Sequence, residues 1–197
     1  MEIEVKRKAV HTFGVSTVAL IYLFGRWYGA LVMLLVSFAF LFFGEYRRNK
    51  EKYKIVKGVK ALDEFEDFVE DEFKTYERKN ELPFQGVITF YFGCFLVTIL
   101  FEPYIAIASI TVLALADSMS TIVGYFIGKH RLPINKKKSW EGSTAFFITS
   151  FLVLYFFIDP VKAITISILA TFVEMLPKIE DNMAVPLTTG ILMLLLS

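Results

Sequence analysis

Residues 116–143 read ADSMSTIVGYFIGKHRLPINKKKSWEGS, and this stretch determines how the rest of the chain is interpreted. Asp117 interrupts an otherwise apolar segment, and a basic run ending at Lys138 leads into SWEGS, the start of the next apolar segment. A carboxylate inside a membrane span is costly unless it faces a polar cavity or a partner, so Asp117 indicates a functional site. An acid at a membrane face, followed by lysines and a helix start, is what a site for a metal ion and a polyphosphate requires.

The composition around this stretch is that of a polytopic membrane protein. Of the 197 residues 55% are apolar, and the charged residues, 21% of the chain, cluster between the apolar runs. This distribution argues against a soluble domain. The first apolar stretch has no small-residue cleavage site, which predicts a transmembrane helix rather than a signal peptide. The formal net charge of +1 argues against nucleic acid as a partner.

Seven apolar segments are each near the length needed to span a bilayer. They cover residues 9–25, 27–43, 84–101, 103–127, 143–158, 161–176 and 183–197. The predicted fold class is therefore all-α, a polytopic membrane protein with about seven transmembrane helices in a single integral-membrane domain over residues 1–197.

The distribution of Lys and Arg predicts the orientation of these segments. Nineteen of the 21 basic residues lie in the N-terminus, the 44–82 loop, the 128–142 loop and at Lys178, whereas Arg26 and Lys162 lie on the other side. By the positive-inside rule, the N-terminus and every charged motif are predicted to be cytoplasmic. The expected location is the cell membrane, or the endoplasmic reticulum membrane in a eukaryote, with the active site on the cytoplasmic face.

The 44–82 loop carries a helical pattern of its own. Apolar residues from Val59 to Tyr76 recur at helical spacing, with acidic residues between them. This pattern predicts a cytoplasmic amphipathic helix that lies on the membrane surface or against the helix ends. A structural brace is the simpler interpretation of this helix.

Small residues recur at every fourth position near Asp117, namely Ala116, Ser120, Gly124 and Gly128. Such a stripe permits close helix approach, and Thr121 lies beside it, one turn after Asp117. A buried polar clamp between helices is the alternative interpretation of Asp117.

The start of the fifth segment favours phosphate. Ser139 can cap the helix, free backbone N–H groups at a helix start attract anions, and Lys138 adds a point charge. Glu141 could hold a metal ion or orient the lysine. Lys136 and Lys137 are better explained as membrane-surface anchors.

Further acids and bases fall on the same predicted side. Glu174 lies in the sixth segment and Asp181-Asn182 precede the seventh; their oxygens suit Mg²⁺, although Asp181-Asn182 could be an ordinary helix N-cap. His11 follows Arg7 by one turn, and a lone His near an interface is more often structural. Four acids and four bases are thus expected to converge on one membrane face: Asp117, Glu141, Glu174, Asp181, Arg7, Lys8, Arg47 and Lys138.

In combination, short motifs resemble the CTP-dependent polyprenol kinase family, which includes dolichol kinases, phytol kinases and CTP-dependent diacylglycerol kinases. The motifs are Arg7-Lys8-x-x-His11, Gly86-x-x-x-Phe90-Tyr91-Phe92-Gly93, Asp117-x-x-x-Thr121-x-x-Gly124-x-x-x-Gly128-Lys129, Lys138-Ser139-x-Glu141-Gly142-Ser143, Thr171-Phe172-Val173-Glu174 and Asp181-Asn182-x-x-Val185-Pro186. Two positions depart from the family pattern. Ala116-Asp117-Ser118 stands where Gly-Asp-Ala is frequent, and Glu180-Asp181-Asn182 stands where Asp-Asp-Asn is frequent.

The resemblance implies transfer of the CTP γ-phosphoryl group to a membrane isoprenoid alcohol of the dolichol, polyprenol or phytol type. The implied catalytic residues are Asp117, Lys138 and Glu141, with Mg²⁺ held by Asp117, Glu141, Glu174 and Asp181. CTP and its phosphates would be bound by Arg7, Lys8, Arg47, Lys129, Lys138, Ser139, Gly142, Ser143 and Asn182. The lipid alcohol would contact Ser120, Thr121, Gly124 and His11. The expected partners are the lipid alcohol, CTP and membrane lipids, and a homo-oligomer stays open.

Two other functions stay open as well. A phosphatidate-type CTP cytidylyltransferase also uses CTP and Mg²⁺, but it usually carries a His-Gly-Gly motif, which this chain lacks. A membrane transporter ranks third, because it should show inverted repeats or broken helices with polar groups near the midplane. No internal repeat is visible, and the polar residues cluster on one face.

Overall fold

The computed structural model describes residues 13–49, 82–177 and 180–196. The predicted all-helical fold is confirmed for these residues, which form seven α-helices and no β-strand. After a 3-10 turn at Phe13–Val15, the helices are α1 Ser16–Phe24, α2 Arg26–Arg48, α3 Gln85–Leu100, α4 Pro103–Phe126, α5 Trp140–Tyr155, α6 Pro160–Met175 and α7 Asp181–Leu196.

The tight connections between helices follow from backbone chemistry. Gly25 separates α1 from α2 with a φ of 82°, a value that residues with a Cβ rarely adopt. Pro103 and Pro160 occupy the first position of α4 and α6, where a missing N–H costs no helical hydrogen bond. Asp159 caps α6, because its Oδ1 accepts the backbone N–H of Val161 at 2.9 Å. These signals make three short turns, at Gly25, Glu102 and Asp159, at one end of the bundle.

The central helix is α4, which packs against α5 and α7, while α2 packs on α3 and α3 on α7. The buried apolar side chains of α3 to α7 form one continuous cluster. At one end of the bundle, Arg26 Nε donates to the carbonyl oxygen of Thr98 at 2.9 Å, which ties the start of α2 to the end of α3. We call this the Gly25 end. The opposite end, where α4 and α6 finish and α5 and α7 begin, is called the Lys138 end.

The lateral surface of the bundle is apolar. Its exposed side chains include Leu31, Leu35 and Phe38 on α2, Ile148 and Leu152 on α5, Ile168 and Phe172 on α6, and Ile191 and Leu195 on α7. Within the described part of the chain, α2 and α4 are the two helices long enough and apolar enough to cross a membrane. The number of spans and their orientation stay predictions. The predicted amphipathic helix at residues 59–76 lies outside the described residues.

Candidate active site

Lys138 lies at the centre of the polar cluster at the Lys138 end. Its Nζ is 3.0 Å from Oε1 of Glu174 and 2.9 Å from Oδ2 of Asp181, and it also donates to the carbonyl oxygen of Glu174. An ammonium group has three N–H donors and no acceptor. All three donors of Lys138 are therefore used by the protein in this arrangement.

Glu174 is the buried member of the cluster. Its side chain is 1% exposed, and its oxygens accept hydrogen bonds from Ser120 Oγ at 2.9 Å and Ser143 Oγ at 3.1 Å. Ser120 belongs to α4, Ser143 to α5 and Lys138 to the loop before α5, whereas Glu174 itself belongs to α6. Glu174 thus joins three helices and fixes the position of the lysine.

The charge of Lys138 is preserved by this arrangement. Burial acts most strongly and lowers the pKa of Lys138, but the neighbouring carboxylates of Asp181 and Glu174 together outweigh it, so the pKa lies above the usual value for lysine. Lys138 is therefore a cation at neutral pH.

The small-residue stripe of α4 is covered by the start of α5. Ser139 caps α5, as predicted, and its Oγ accepts the backbone N–H of Gly142 at 3.1 Å. A Cβ added to Gly142 would meet the carbonyl oxygen of Ser120 at 2.8 Å and the Cα of Gly124 at 3.3 Å. Glycine is needed here because the two helix backbones touch. The stripe is thus a helix–helix contact, and Ser120 turns its hydroxyl to Glu174.

The loop between α4 and α5 is a short hairpin, residues 128–139. Arg131 and Ser139 form an isolated antiparallel bridge, and the N–H of Leu132 donates to the carbonyl oxygen of Lys138 at 3.0 Å. At the tip, Asn135 Nδ2 lies 3.4 Å from the carbonyl oxygen of Met175, the last residue of α6. The hairpin therefore folds back onto the end of α6. Lys138 lies in the C-terminal half of the hairpin and contacts Glu174 from there.

Glu141 lies at the base of this hairpin, paired with His130. The Nδ1 of His130 is 2.7 Å from Oε1 of Glu141, and the backbone N–H of His130 is 3.2 Å from the same oxygen. His130 was absent from the predicted site. Its partner could have been found only from the antiparallel pairing of the hairpin, which brings two residues eleven positions apart into contact.

Asn182, in the first turn of α7, binds α3. Its Nδ2 donates to the carbonyl oxygen of Gly86 at 3.2 Å, to Thr89 Oγ1 at 3.0 Å and to Glu180 Oε1 at 3.2 Å. Because a carbonyl and a carboxylate only accept, the nitrogen must face them, which fixes the amide orientation. The Oδ1 of Asn182 is buried and has no hydrogen-bond partner among the described residues. The amide can thus offer an acceptor to a ligand, but no further N–H to a phosphate.

Asp117 is 3% exposed and lies one helical turn before Ser120 on α4. It is therefore deeper in the bundle than the Lys138 cluster. Thr121, also predicted to face the substrate, donates its hydroxyl hydrogen bond to the carbonyl oxygen of Asp117 at 3.1 Å.

The other predicted phosphate ligands are scattered. The guanidinium of Arg47 lies 5.6 Å from the ring centroid of Phe84, and Lys129 is exposed on the hairpin. Arg7, Lys8 and His11 lie outside the described residues.

The acids do not gather into one group. Glu174 and Asp181 meet at Lys138, Glu141 pairs with His130, and Asp117 lies deeper. No group of three or more His, Cys, Asp or Glu side chains suited to a metal ion occurs in residues 13–49, 82–177 and 180–196. Mg²⁺ often takes only one or two carboxylates, with phosphate oxygens and water as its other ligands. The carboxylate of Asp181 and the unpartnered oxygen of Asn182 are oxygen ligands of the kind that such a site uses.

The chain has relatives among curated plant proteins. It is 36% identical over 113 residues to a probable phytol kinase 2 of Glycine max, which covers 48% of this chain and 39% of that protein. It is 30% identical over 142 residues to a probable phytol kinase of Triticum aestivum, covering 62% and 47%. A farnesol kinase of Arabidopsis thaliana is 37% identical over 104 residues, covering 44% and 34%.

These relatives confirm the resemblance to lipid-alcohol kinases that the motifs indicate. The chain spans less than half the length of each of these three relatives. No family model and no solved structure matches the chain.

Proposed function

We propose that the protein is a membrane kinase that transfers the γ-phosphoryl group of CTP to an isoprenoid alcohol. The observation that carries the proposal is the Lys138–Glu174–Asp181 cluster, which combines a fixed cation with carboxylates where four helices end or begin. Phosphoryl transfer depends on positioning and charge neutralisation, which such a cluster supplies. The phytol and farnesol kinases among the relatives support the same class of reaction.

The surface of the bundle supports insertion into a bilayer. Exposed Tyr and Trp side chains lie near both ends: Tyr22, Trp27, Tyr28, Tyr104 and Tyr155 at the Gly25 end, and Tyr125 and Trp140 at the Lys138 end. Aromatic belts of this kind mark the two membrane–water interfaces, with apolar side chains between them. We take the seven predicted apolar segments as spans and the Lys138 end as cytoplasmic.

Lys138 is the proposed phosphate ligand. Because its three donors are occupied, a phosphate oxygen must replace one acceptor. Asp181 is the exchangeable one, since its side chain is 22% exposed against 1% for Glu174. Glu174 would keep its hold on the lysine while Lys138 turns from Asp181 to the phosphate.

Mg²⁺ would be held by Asp181, once released from Lys138, and by the Oδ1 of Asn182, together with phosphate oxygens. A bound Mg²⁺ neutralises phosphate charge as it develops. Glu174 is the less suitable ligand, because Lys138 and two hydroxyls already occupy its oxygens.

The reaction balances with the groups present. The alcohol oxygen forms a bond to the γ-phosphorus, the bond from that phosphorus to the β,γ-bridging oxygen breaks, and CDP leaves. Asp117 takes the alcohol proton, because among the four predicted acids it lies furthest along the bundle from the Lys138 end, where the hydroxyl of a membrane lipid would arrive. Lys138 stabilises negative charge on the transferred group.

The substrate is proposed to be an isoprenoid alcohol. The relatives named for phytol and farnesol favour the shorter isoprenoids over dolichol. The apolar lateral surface suits entry of a branched tail from the bilayer, between helices.

The test uses purified protein in detergent or liposomes with Mg²⁺, γ-labelled CTP and farnesol, phytol or a long polyprenol. We expect label in the organic extract with at least one isoprenoid alcohol and none without Mg²⁺. γ-Labelled ATP in a parallel series tests the donor. An organic phase without label from CTP for every alcohol would contradict the proposal, and label from ATP alone would identify a different nucleotide donor.

A further inference from the structure

Glu141 is engaged in a way that neither metal binding nor phosphate binding explains. Its two oxygens lie 3.2 and 3.3 Å from the backbone N–H of His130, and Oε1 is 2.7 Å from the ring Nδ1 of the same residue. Glu141 belongs to the first turn of α5, whereas His130 lies near the start of the hairpin of residues 128–139. The pair therefore closes the hairpin at its base.

The hairpin in turn determines where Lys138 lies. The N–H of Trp140 donates to the carbonyl oxygen of His130 at 2.9 Å, directly beside the Glu141 contact. On the other side of the Arg131–Ser139 bridge, the carbonyl oxygen of Lys138 accepts the N–H of Leu132. The side chain of Leu132 is buried. These two hydrogen bonds belong to the same antiparallel bridge, so the backbone of Lys138 is held by the pairing that begins at His130. Loss of the hydrogen bonds at His130 would release Lys138 from the cluster.

We propose that Glu141 and His130 are positioning residues that lock the hairpin and so hold Lys138 against Glu174 and Asp181. The inference rests on the proposed function, because it states how the phosphate-binding lysine is presented. In this role Glu141 touches neither metal nor phosphate. His130, with its side chain largely exposed, acts through Glu141 and the backbone.

The position of Lys138 can be measured without turnover, by labelling lysines with an amine-reactive reagent and quantifying each site by mass spectrometry. Lys136 and Lys137 are exposed on the same hairpin and serve as internal references. We expect Lys138 to be protected in the wild type. Glu141→Ala and His130→Ala should raise its labelling on the order of tenfold, the effect expected for losing a charge-assisted hydrogen bond. Asp159→Ala, which removes a helix cap at the Gly25 end, should leave Lys138 protected.

Glu141→Gln separates positioning from direct catalysis. The amide oxygen of Gln can still accept the N–H of His130, so this variant should keep Lys138 protected and retain most of the kinase activity. Unchanged labelling of Lys138 in Glu141→Ala would overturn the inference. So would a Glu141→Gln protein that is inactive while Lys138 stays protected, since Glu141 would then act on metal or substrate. A wild type without kinase activity would contradict the proposed function alone, because the labelling needs no turnover.

Discussion

At the scale of single residues, the two carboxylates that hold Lys138 differ in how firmly they are fixed. Glu174 is buried and receives hydroxyl hydrogen bonds from Ser120 and Ser143 on two other helices. Asp181 begins α7 and is partly exposed. A ligand that brings its own negative charge can therefore displace Asp181 from the lysine more easily than it can displace Glu174.

Replacing Lys138 tests its role directly. Lys138→Met should lower kcat/KM roughly 10²–10³-fold, the loss typical for a donor that stabilises transition-state charge. It should also cost about 3–5 kcal/mol of stability, because Glu174 is left as a buried unpaired charge. Lys137→Met, at an exposed neighbour, is the matched control. The double variant Lys138→Met/Glu174→Gln should regain stability in thermal unfolding but no activity; recovered activity would contradict the role of Lys138.

Asp117 is tested by a change that keeps volume and removes charge. Asp117→Asn should abolish phosphoryl transfer while the protein stays folded in detergent, because the amide cannot accept the alcohol proton. The measurement is initial rate per folded molecule, with the folded fraction taken from size-exclusion chromatography. A variant that loses stability yet keeps this rate would show that Asp117 is a clamp between helices.

The sequence singled out Lys138, Glu174 and Asp181 as candidates, but it did not give most of their contacts. Lys138, Glu174 and Asp181 stand out because charged groups next to apolar segments are costly. That Ser120 and Ser143 bind Glu174 depends on the rotation of three packed helices, which local sequence does not encode. His130 was missed because its partner is set by the hairpin register.

At the scale of helices, the contact between α4 and α5 holds the site together. Ser120 and Gly124 of α4 lie against Gly142 of α5, and the same two helices supply both hydroxyls that bind Glu174. A change in the spacing of these helices would therefore move the carboxylate that positions the lysine.

Gly142→Ala changes this spacing. Its Cβ would lie 2.8 Å from the carbonyl oxygen of Ser120, so the backbones must separate. We expect a loss of about 1–3 kcal/mol, as for other overpacked contacts, and a higher KM for the nucleotide. Gly124→Ala is the milder comparison, since its Cβ would meet only Ser139 Oγ at 3.2 Å and the Cα of Gly142 at 3.6 Å. Equal thermal stability of Gly142→Ala and wild type would contradict the close contact.

In the part of the chain that the structure describes, the number of helices followed from the apolar segments, whereas the helix ends did not. α2 continues to Arg48, beyond the predicted segment 27–43, because hydropathy marks the apolar length and not the end of the hydrogen-bonded helix. α5 begins at Trp140 instead of residue 143, since Ser139 supplies the cap before the apolar run starts. Capping residues located the ends better than hydropathy did.

At the scale of the whole molecule, the proposed mechanism requires the Lys138 end to face the compartment that contains CTP. The short turns at Gly25, Glu102 and Asp159 lie together at the opposite end. Nineteen basic residues against two predict which end is cytoplasmic.

Single cysteines in a Cys94→Ser background test this orientation. Lys136 is exposed on the hairpin, and Glu102 is exposed at the Gly25 end without a side-chain capping bond. Lys136→Cys should react with an impermeant thiol reagent only after the cytoplasmic face is opened, and Glu102→Cys should react in intact cells. Labelling of position 136 from outside intact cells would overturn the topology.

The central claim is that the γ-phosphoryl group of CTP, and no other part of it, reaches the lipid. The most direct measurement uses CTP labelled with different isotopes at the α- and γ-phosphorus, with purified protein, Mg²⁺ and an isoprenoid alcohol. The account predicts γ-label in the organic phase and α-label retained in aqueous CDP. Transfer of the α-label to the lipid, with release of pyrophosphate, would contradict it and identify a cytidylyltransferase instead.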